Sequence, residues 1–196
     1  MRALIIVDMQ YDFLPDGKLG VPGGDTIVKT INQLQSDYDL IIATQDWHPR
    51  DHKSFADAHP GKEPFEKIDL NGVEQILWPI HCVQETRGAE LISELNKDNI
   101  SKVFQKGMNI EVDSYSGFFD NNKIHSTGMY DYLKSKGVNE VAVCGLAADY
   151  CVYFTANDAL KLGFRTSIIE SATKPISQQD FDNAKQTFEE NGGFII

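Results

Sequence analysis

The stretch VNEVAVCGLAADYCVYFTANDALKLG, residues 138–163, holds the pattern that decides the fold. Its valine-rich run Glu140–Cys144 is typical of a buried strand. The residues Tyr150–Leu162 have the apolar spacing of a helix, which Gly163 ends. A buried strand that leads within a few residues into a helix indicates an α/β domain.

The same alternation continues along the chain. Further strands are predicted at Leu4–Val7, Leu40–Thr44, Lys102–Gln105, Arg165–Ile169 and Phe194–Ile196. Further helices are predicted at Thr26–Leu34, Ala89–Leu95, Met129–Lys136 and Gln178–Asn191. Continuous apolar strands between helices predict an α/β fold with three layers, α/β/α, around a central, mainly parallel sheet of about six strands. We expect residues 1–196 to form a single domain.

Composition excludes several classes of function. The formal net charge of −11 argues against binding to nucleic acid or anionic membranes, which favour basic surfaces. The first apolar run ends at Asp8 and is too short for a signal peptide, and nothing approaches the roughly 20 apolar residues of a membrane span. Three cysteines without a framework spacing predict a reducing, cytoplasmic setting.

Two long polar segments interrupt the alternation, at Asp46–Gln84 and Gly107–Ser126. Long loops in a compact domain are usually either functional or disordered. The first loop contains Trp47, Trp78 and several histidines, which argues against disorder. We therefore expect functional residues in these loops.

Reactive side chains follow four of the predicted strands. Asp8 ends the first strand, Asp46 and His48 follow the second, Lys106 follows the third, and Cys151 lies shortly after the fourth. In an open parallel sheet, ligands bind outside the carboxyl ends of the strands. Two carboxylates, an imidazole, an ammonium and a thiol are therefore expected at one rim, which indicates an enzyme.

Each of these residues also has an ordinary structural interpretation. Asp8 could cap a turn or be a partly buried general base, and Lys106 could be solvated or could stabilise a thiolate. Cys151, at the first turn of a helix, is placed where free N–H groups favour a thiolate and an oxyanion. Cys144 is interpreted as a core residue, and Cys82 as structural or as support for the site.

The histidine-rich loop is a candidate metal site. Asp46 and His48 lie two residues apart, and His52, His59 and His81 follow. Oxygen and nitrogen ligands suit zinc, iron or manganese. Histidines in loops are also commonly just solvated, so the spacing alone leaves both interpretations open.

Several longer motifs together resemble one family. They are VDMQYDFLPDGKLGVPGG (7–24), TQDWHPRDHKSFA (44–56), LWPIHCV (77–83), FQKG (104–107), DSYSGFFDN (113–121) and CGLAADYCVYFTANDA (144–159). In this order they resemble the nicotinamidase/pyrazinamidase family of the isochorismatase-like hydrolases. The resemblance covers most of the chain and implies an isochorismatase-like fold.

The resemblance also implies roles for individual residues. Asp8, Lys106 and Cys151 match the catalytic triad of the family. The matching metal ligands are Asp46, His48 and His81, with His52 as a possible further ligand. One divalent metal ion is implied, with zinc expected first and iron or manganese as alternatives.

The substrate pocket and the oxyanion hole are implied in the same way. The residues that match the aromatic walls of the pocket are Phe13, Trp78, Tyr115 and Tyr150. The N–H groups of Ala147 and Cys151 match the oxyanion hole, beside a Leu146–Ala147 peptide bond that is cis in the family. Ala148 departs from the threonine common at its position, which puts the local support of this loop in doubt.

The implied activity is hydrolysis of nicotinamide, and of pyrazinamide, to the carboxylic acid and ammonia. The reaction would pass through a thioester on Cys151, with the metal anchoring the ring nitrogen, and would serve NAD salvage. The expected partner is this small-molecule substrate, and a homo-oligomer would fit. The alternatives are another isochorismatase-like hydrolase, either an isochorismatase or a different amidohydrolase, and a catalytically inactive binding module on the same fold.

Overall fold

A central six-stranded sheet organises the molecule, whose residues 1–196 are described by a computed structural model. The strands of the chain are β1 (Arg2–Val7), β2 (Leu40–Asp46), β3 (Lys67–Leu70), β4 (Val73–Ile76), β5 (Ile100–Lys106), β6 (Glu140–Leu146), β7 (Arg165–Lys174) and β8 (Phe194–Ile195). The central sheet has the order β5-β2-β1-β6-β7-β8, and all of its pairings are parallel. The predicted α/β class and strand number are confirmed.

Helices and loops cover both faces of this sheet. The α-helices are α1 (Val28–Leu34), α2 (Met129–Ser135), α3 (Tyr153–Lys161) and α4 (Gln178–Glu190). Leu4 and Ile6 of β1 belong to the core on the side of α1, whereas Ile5 belongs to the core on the side of α2, α3 and α4. Because alternate side chains of β1 enter opposite cores, both faces of the sheet are buried, as the continuous apolar strands predict. No helix is long and apolar enough to cross a membrane.

The predicted helix Ala89–Leu95 is wrong. Only a 3₁₀ turn, Arg87–Ala89, forms there. The Ile92 N–H donates to the carbonyl oxygen of Met9, and the Glu90 carbonyl accepts from the Tyr11 N–H. These long-range bonds occupy backbone groups that a helix would need for its own ladder.

The long loop after β2 contains a hairpin, although no strand was predicted there. Strands β3 and β4 pair antiparallel, with Leu70 opposite Val73. Between them, Asn71 and Gly72 have φ angles of +56° and +85°. An Asn-Gly pair with two positive φ angles is the favoured two-residue hairpin turn, so this dipeptide in the sequence indicates the hairpin.

The parallel sheet brings four strand ends to one rim. Strands β5, β2, β1 and β6 are neighbours, and their carboxyl ends lie at the same edge. The residues at or just beyond these ends include Lys106, Asp46, Asp8 and Ala147. The rim therefore collects the reactive residues from distant parts of the sequence, as expected for a parallel sheet.

Candidate active site

Lys106 lies at the centre of the rim, and its side chain is fully buried. Its Nζ lies 2.9 Å from Asp8 Oδ2 and 3.3 Å from Cys151 Sγ. The same ammonium donates to the carbonyl oxygen of Ser114 at 2.9 Å and forms an ion pair with Asp46 Oδ1. The ammonium of Lys106 thus contacts the other two residues of the predicted triad, Asp8 and Cys151, and the predicted metal ligand Asp46.

Thr44 fixes the orientation of Asp8. The Thr44 hydroxyl donates to Asp8 Oδ1 at 2.6 Å and accepts from the Asp8 N–H at 3.2 Å. Asp8 itself has φ +47°, a left-handed conformation that is uncommon for residues other than glycine. With Oδ1 held by Thr44, Oδ2 faces the ammonium of Lys106.

Cys151 lies in a π-helical turn, Ala148–Val152, that connects β6 to α3. Its sulfur and a carboxylate oxygen of Asp8 lie within 4.8 Å of each other. The Leu146–Ala147 peptide bond is cis, as the resemblance implied. The Ala147 carbonyl accepts from the N–H groups of Tyr150 and Val152, whereas the Ala147 N–H makes no hydrogen bond within the protein.

Burial and Lys106 set the ionisation of the cluster. Burial raises the pKa of the Cys151 thiol well above its ordinary value, against the opposing effect of Lys106. Burial also raises the pKa of Asp8. For Asp46, burial acts in the same direction, but the Lys106 ammonium and the His48 imidazole hold its pKa well below the ordinary value. Asp46 and Asp8 together hold the pKa of the buried Lys106 well above its usual range.

Asp46, His48 and His81 converge beside the lysine. One potential ligand atom from each lies within 4.8 Å of the others, and all three residues are buried. His48 Nε2 lies 3.5 Å from Asp46 Oδ2, and His81 Nε2 lies 3.8 Å from the same oxygen. This set of one carboxylate and two imidazoles matches the chemistry of a divalent metal site.

Backbone carbonyls orient both imidazoles. His48 Nδ1 lies 2.9 Å from the carbonyl oxygen of Gly107, and His81 Nδ1 lies 2.8 Å from that of Pro79. A carbonyl only accepts, so each Nδ1 carries a proton, and in the neutral ring Nε2 has the lone pair that a metal requires. Gly107 has φ +67°, and a Cβ there would lie 2.4 Å from His48 Cε1, so this backbone approach requires glycine.

His52 lies beside this group and not within it. The centroid of its ring lies 4.6 Å from that of His48. One ring nitrogen of His52 lies within 4.8 Å of potential ligand atoms of His48 and Asp113, but His52 is not part of the cluster that Asp46 and His81 form with His48. Its Nδ1 accepts the Ser54 N–H at 3.1 Å. Its role as a further ligand stays a prediction.

A cleft with mostly apolar walls opens at Cys151. All four aromatic residues predicted as pocket walls line it: Phe13, Trp78, Tyr115 and Tyr150. The Trp78 and Tyr150 rings meet edge to face with centroids 5.0 Å apart. Three residues that were not predicted as pocket residues also line the cleft: Leu19, Asp113 and Ile176. A narrow cleft with aromatic walls suits a flat ring.

Comparison with known proteins places this geometry in a family. A sequence model of the isochorismatase domain matches residues 2–196. The chain belongs to the isochorismatase family. Within this family it is 46% identical to the nicotinamidase of Escherichia coli (strain K12) over 187 residues, 93% of this chain and 87% of the relative.

Solved structures of the isochorismatase family agree with this placement. A nicotinamidase/pyrazinamidase of Acinetobacter baumanii superposes with a TM-score of 0.97 at 44% identity, covering 100% of this chain and 95% of that one. The pyrazinamidase of Pyrococcus horikoshii in complex with zinc gives a TM-score of 0.81 at 36% identity, covering 100% of this chain and 98% of that one. These matches extend over the whole sheet and both long loops.

Asp149 supports the π-helical turn that contains Cys151. Ala148 is fully buried in the core. The adjacent Asp149 carboxylate accepts the N–H groups of Ile176 at 2.9 Å and Ser177 at 2.8 Å. These bonds tie the turn to the pocket residue Ile176. Contacts distant in the sequence therefore support the turn, and the effect of Ala148 stays a prediction.

The two remaining cysteines are separate from this chemistry. Cys144 and Cys82 are fully buried and unpaired. Burial raises the pKa of both thiols. Cys144 lies in β6 beside Ile6 of β1 and belongs to the core on the side of α1, as expected from its place in an apolar strand.

Proposed function

We propose that this chain is a nicotinamidase in which Cys151 attacks the carboxamide carbon of nicotinamide. The observation that carries the proposal is the position of Lys106 Nζ, 3.3 Å from Cys151 Sγ and 2.9 Å from Asp8 Oδ2, below an aromatic cleft. The 46% identity to a nicotinamidase supports the same substrate. Pyrazinamide, a similar flat ring with a carboxamide, is the second substrate we expect.

Asp8 acts first as the general base. The raised pKa of Cys151 keeps the thiol protonated in the resting site. Asp8 removes this proton as the sulfur attacks, and the Lys106 ammonium stabilises the negative charge that develops on the sulfur. Because Asp8 also has a raised pKa, it can hold the proton long enough to return it.

The carbonyl oxygen of the substrate becomes an oxyanion as the carbon–sulfur bond forms. We assign the N–H groups of Ala147 and Cys151 to this oxyanion, and the free Ala147 N–H supports the assignment. Asp8 then delivers its proton to the amide nitrogen, ammonia leaves, and a thioester remains on Cys151. Asp8 next removes a proton from a water molecule as the water oxygen attacks the thioester carbon. The carbon–sulfur bond then breaks, nicotinate leaves, and Asp8 returns the proton to the Cys151 sulfur.

Asp46, His48 and His81 are the residues we propose to hold a divalent metal, with zinc as the expected ion. The protonated Nδ1 atoms and the ionised Asp46 are the forms that ligation requires. The metal, when bound, supplies a Lewis acid that holds the ring nitrogen of the substrate. The aromatic walls add shape and exclude water, which orients the carboxamide toward the sulfur.

Another activity within the family is the main alternative. Isochorismate is a dianion and favours basic residues in its pocket. No lysine or arginine lines the cleft, and its walls are largely aromatic and aliphatic. The cleft therefore favours an uncharged ring over a dianion.

Ammonia and nicotinate release by the purified, zinc-loaded protein tests the proposal directly. Wild-type protein and Cys144→Ala should produce both from nicotinamide, whereas Cys151→Ala should retain its fold and zinc but lose turnover. Isochorismate and pyrazinamide are assayed in parallel. Turnover by Cys151→Ala would overturn the nucleophile, and hydrolysis of isochorismate but not of nicotinamide would overturn the substrate.

The wider setting follows from this activity. Hydrolysis of nicotinamide to nicotinate serves NAD salvage. We propose that residues 1–196 act as one domain, because the family match extends over residues 2–196. Homo-oligomerisation and a cytoplasmic location stay predictions.

A further inference from the structure

Gln10 is a fully buried polar residue that the mechanism leaves without a role. Its side-chain oxygen accepts the Asp46 N–H at 2.8 Å. Its side-chain nitrogen donates to the carbonyl oxygens of Asp46 and Ala89, each at 2.8 Å. One carboxamide thus binds both backbone polar groups of Asp46.

The sheet topology explains why Asp46 needs this partner. On one side of β2, Asp46 pairs with Lys106 of β5. On the other side, the pairing with β1 extends only as far as Ile6 opposite Ala43. The carboxamide of Gln10 has the same donor and acceptor groups as a peptide, so it continues the ladder where β1 has ended.

The orientation of Asp46 matters because its two oxygens face different partners. Oδ1 forms the ion pair with Lys106, and Oδ2 faces the Nε2 atoms of His48 and His81. A small rotation of the Asp46 backbone would move Oδ2 away from both imidazoles. Gln10 restrains this rotation because it binds both the N–H and the carbonyl oxygen of Asp46.

We propose that Gln10 is a positioning residue for the metal centre, holding the Asp46 backbone so that Oδ2 stays directed at the two imidazoles. The inference rests on the metal-ligand roles given under the proposed function. Gln10 is also joined to the reaction side of the rim, since its N–H donates to the Asp8 carbonyl at 2.8 Å. Gln10 therefore links the proposed general base, through its backbone N–H, to the proposed metal ligand, through its side chain.

If Gln10 had a purely structural role, that role would be to hold the loop through its bond to the Ala89 carbonyl. The chain offers a matched control for this role in Gln45, whose side-chain nitrogen donates to the same Ala89 carbonyl at 2.7 Å. Gln45 makes no side-chain hydrogen bond to Asp46. Gln45→Met removes this bond to the loop and the bond that Gln45 accepts from Gln105. Gln10→Met removes a bond to the loop and both bonds to Asp46.

The test is the Zn²⁺ affinity of the metal-free proteins, measured by competition with a chelator in the absence of substrate. Gln10→Met should weaken Zn²⁺ binding by about 10–100-fold, the usual effect of losing a partner that orients a ligand. Gln45→Met should bind Zn²⁺ as the wild type does. Thermal unfolding of the metal-free forms shows whether both variants remain folded.

Equal Zn²⁺ affinity in Gln10→Met and wild type would overturn the proposal, as would an equal loss in Gln45→Met. If Gln10→Met does not fold, Gln10→Asn replaces it, because an amide one methylene shorter cannot span both backbone groups of Asp46. Stoichiometric Zn²⁺ binding by a wild type without nicotinamide hydrolysis would refute the proposed function alone. A wild type that binds no Zn²⁺ would refute the role of Gln10.

Discussion

The proposed function divides the rim into a reaction half, Asp8 and Cys151, and a metal half, Asp46 with the imidazoles of His48 and His81, which meet at Lys106. Asp8 and Asp46 are the same residue type at the ends of adjacent strands, and both form ion pairs with Lys106. Yet the pKa of Asp8 is raised and that of Asp46 is held well below its ordinary value. Two identical carboxylates are thereby suited to different tasks.

The difference comes from what surrounds each carboxylate. Asp8 is fully buried, and the negative charge of Asp46 opposes its ionisation. Asp46 has Lys106 on one oxygen and the imidazoles of His48 and His81 near the other. A carboxylate that exchanges protons needs the raised pKa that the surroundings of Asp8 provide. A carboxylate that binds a cation needs the lowered pKa that the surroundings of Asp46 provide.

Asp8→Asn breaks the reaction half and gives the largest expected effect. An amide cannot accept the thiol proton, so kcat for nicotinamide should fall by about 10²–10⁴-fold, the usual contribution of general acid–base catalysis. Zinc content, measured by atomic absorption, should stay near that of the wild type, since Asp46 and both imidazoles are intact. An Asp8→Asn enzyme with wild-type kcat would exclude Asp8 as the base.

His48→Ala breaks the metal half. Removing a predicted ligand should weaken Zn²⁺ affinity by more than about 100-fold, beyond the effect of losing an outer partner. KM for nicotinamide should rise, and high Zn²⁺ concentrations should restore part of the activity. Equilibrium Zn²⁺ binding and steady-state kinetics measure both effects; unchanged metal content together with an unchanged KM would remove His48 from the site.

The pH dependence of kcat/KM sharpens the contrast between the two carboxylates. Asp8 must be ionised to act as a base, so activity is present above its pKa and is lost as pH falls through it. Because burial raises that pKa, the loss should occur at a higher pH than the value of about 4 of an ordinary aspartate. Zinc content is measured at each pH, and a decline confined to the ordinary range would contradict the raised pKa.

The reaction half is largely accessible to sequence reasoning. The apolar runs before Asp8 and Lys106 identify strands, and parallel pairing requires their ends to share a rim. The π-helical turn of Cys151 follows β6 in the same way. The structure brings these residues together, although their catalytic roles remain proposals. His81 lies far along a loop, where the histidine spacing left its role open, and only the family motif distinguished it from the other loop histidines.

Long-range polar contacts explain what the sequence could not predict. Gln10, Thr44 and Asp149 each hold a site residue or its turn through bonds to residues at least 27 positions away. No periodicity of apolar residues records such bonds. The wrong helix at Ala89–Leu95 has the same origin, because tertiary contacts overrode a locally helical pattern.

His52→Ala gives the smallest expected effect and tests where the metal half ends. The Ser54 N–H can only donate, so His52 Nδ1 must accept it and Nε2 carries the proton of the neutral ring. Burial lowers the pKa of His52 to about 4, so this ring is neutral at pH 7 and has no lone pair on Nε2 for a metal.

His48 and His81 have the opposite tautomer, because carbonyls face their Nδ1 atoms. His52→Ala should therefore lower Zn²⁺ affinity by about tenfold or less, through lost packing against the His48 ring. A loss as large as that of His48→Ala would show that the ring of His52 changes tautomer and joins the metal, which would extend the metal half by one ligand.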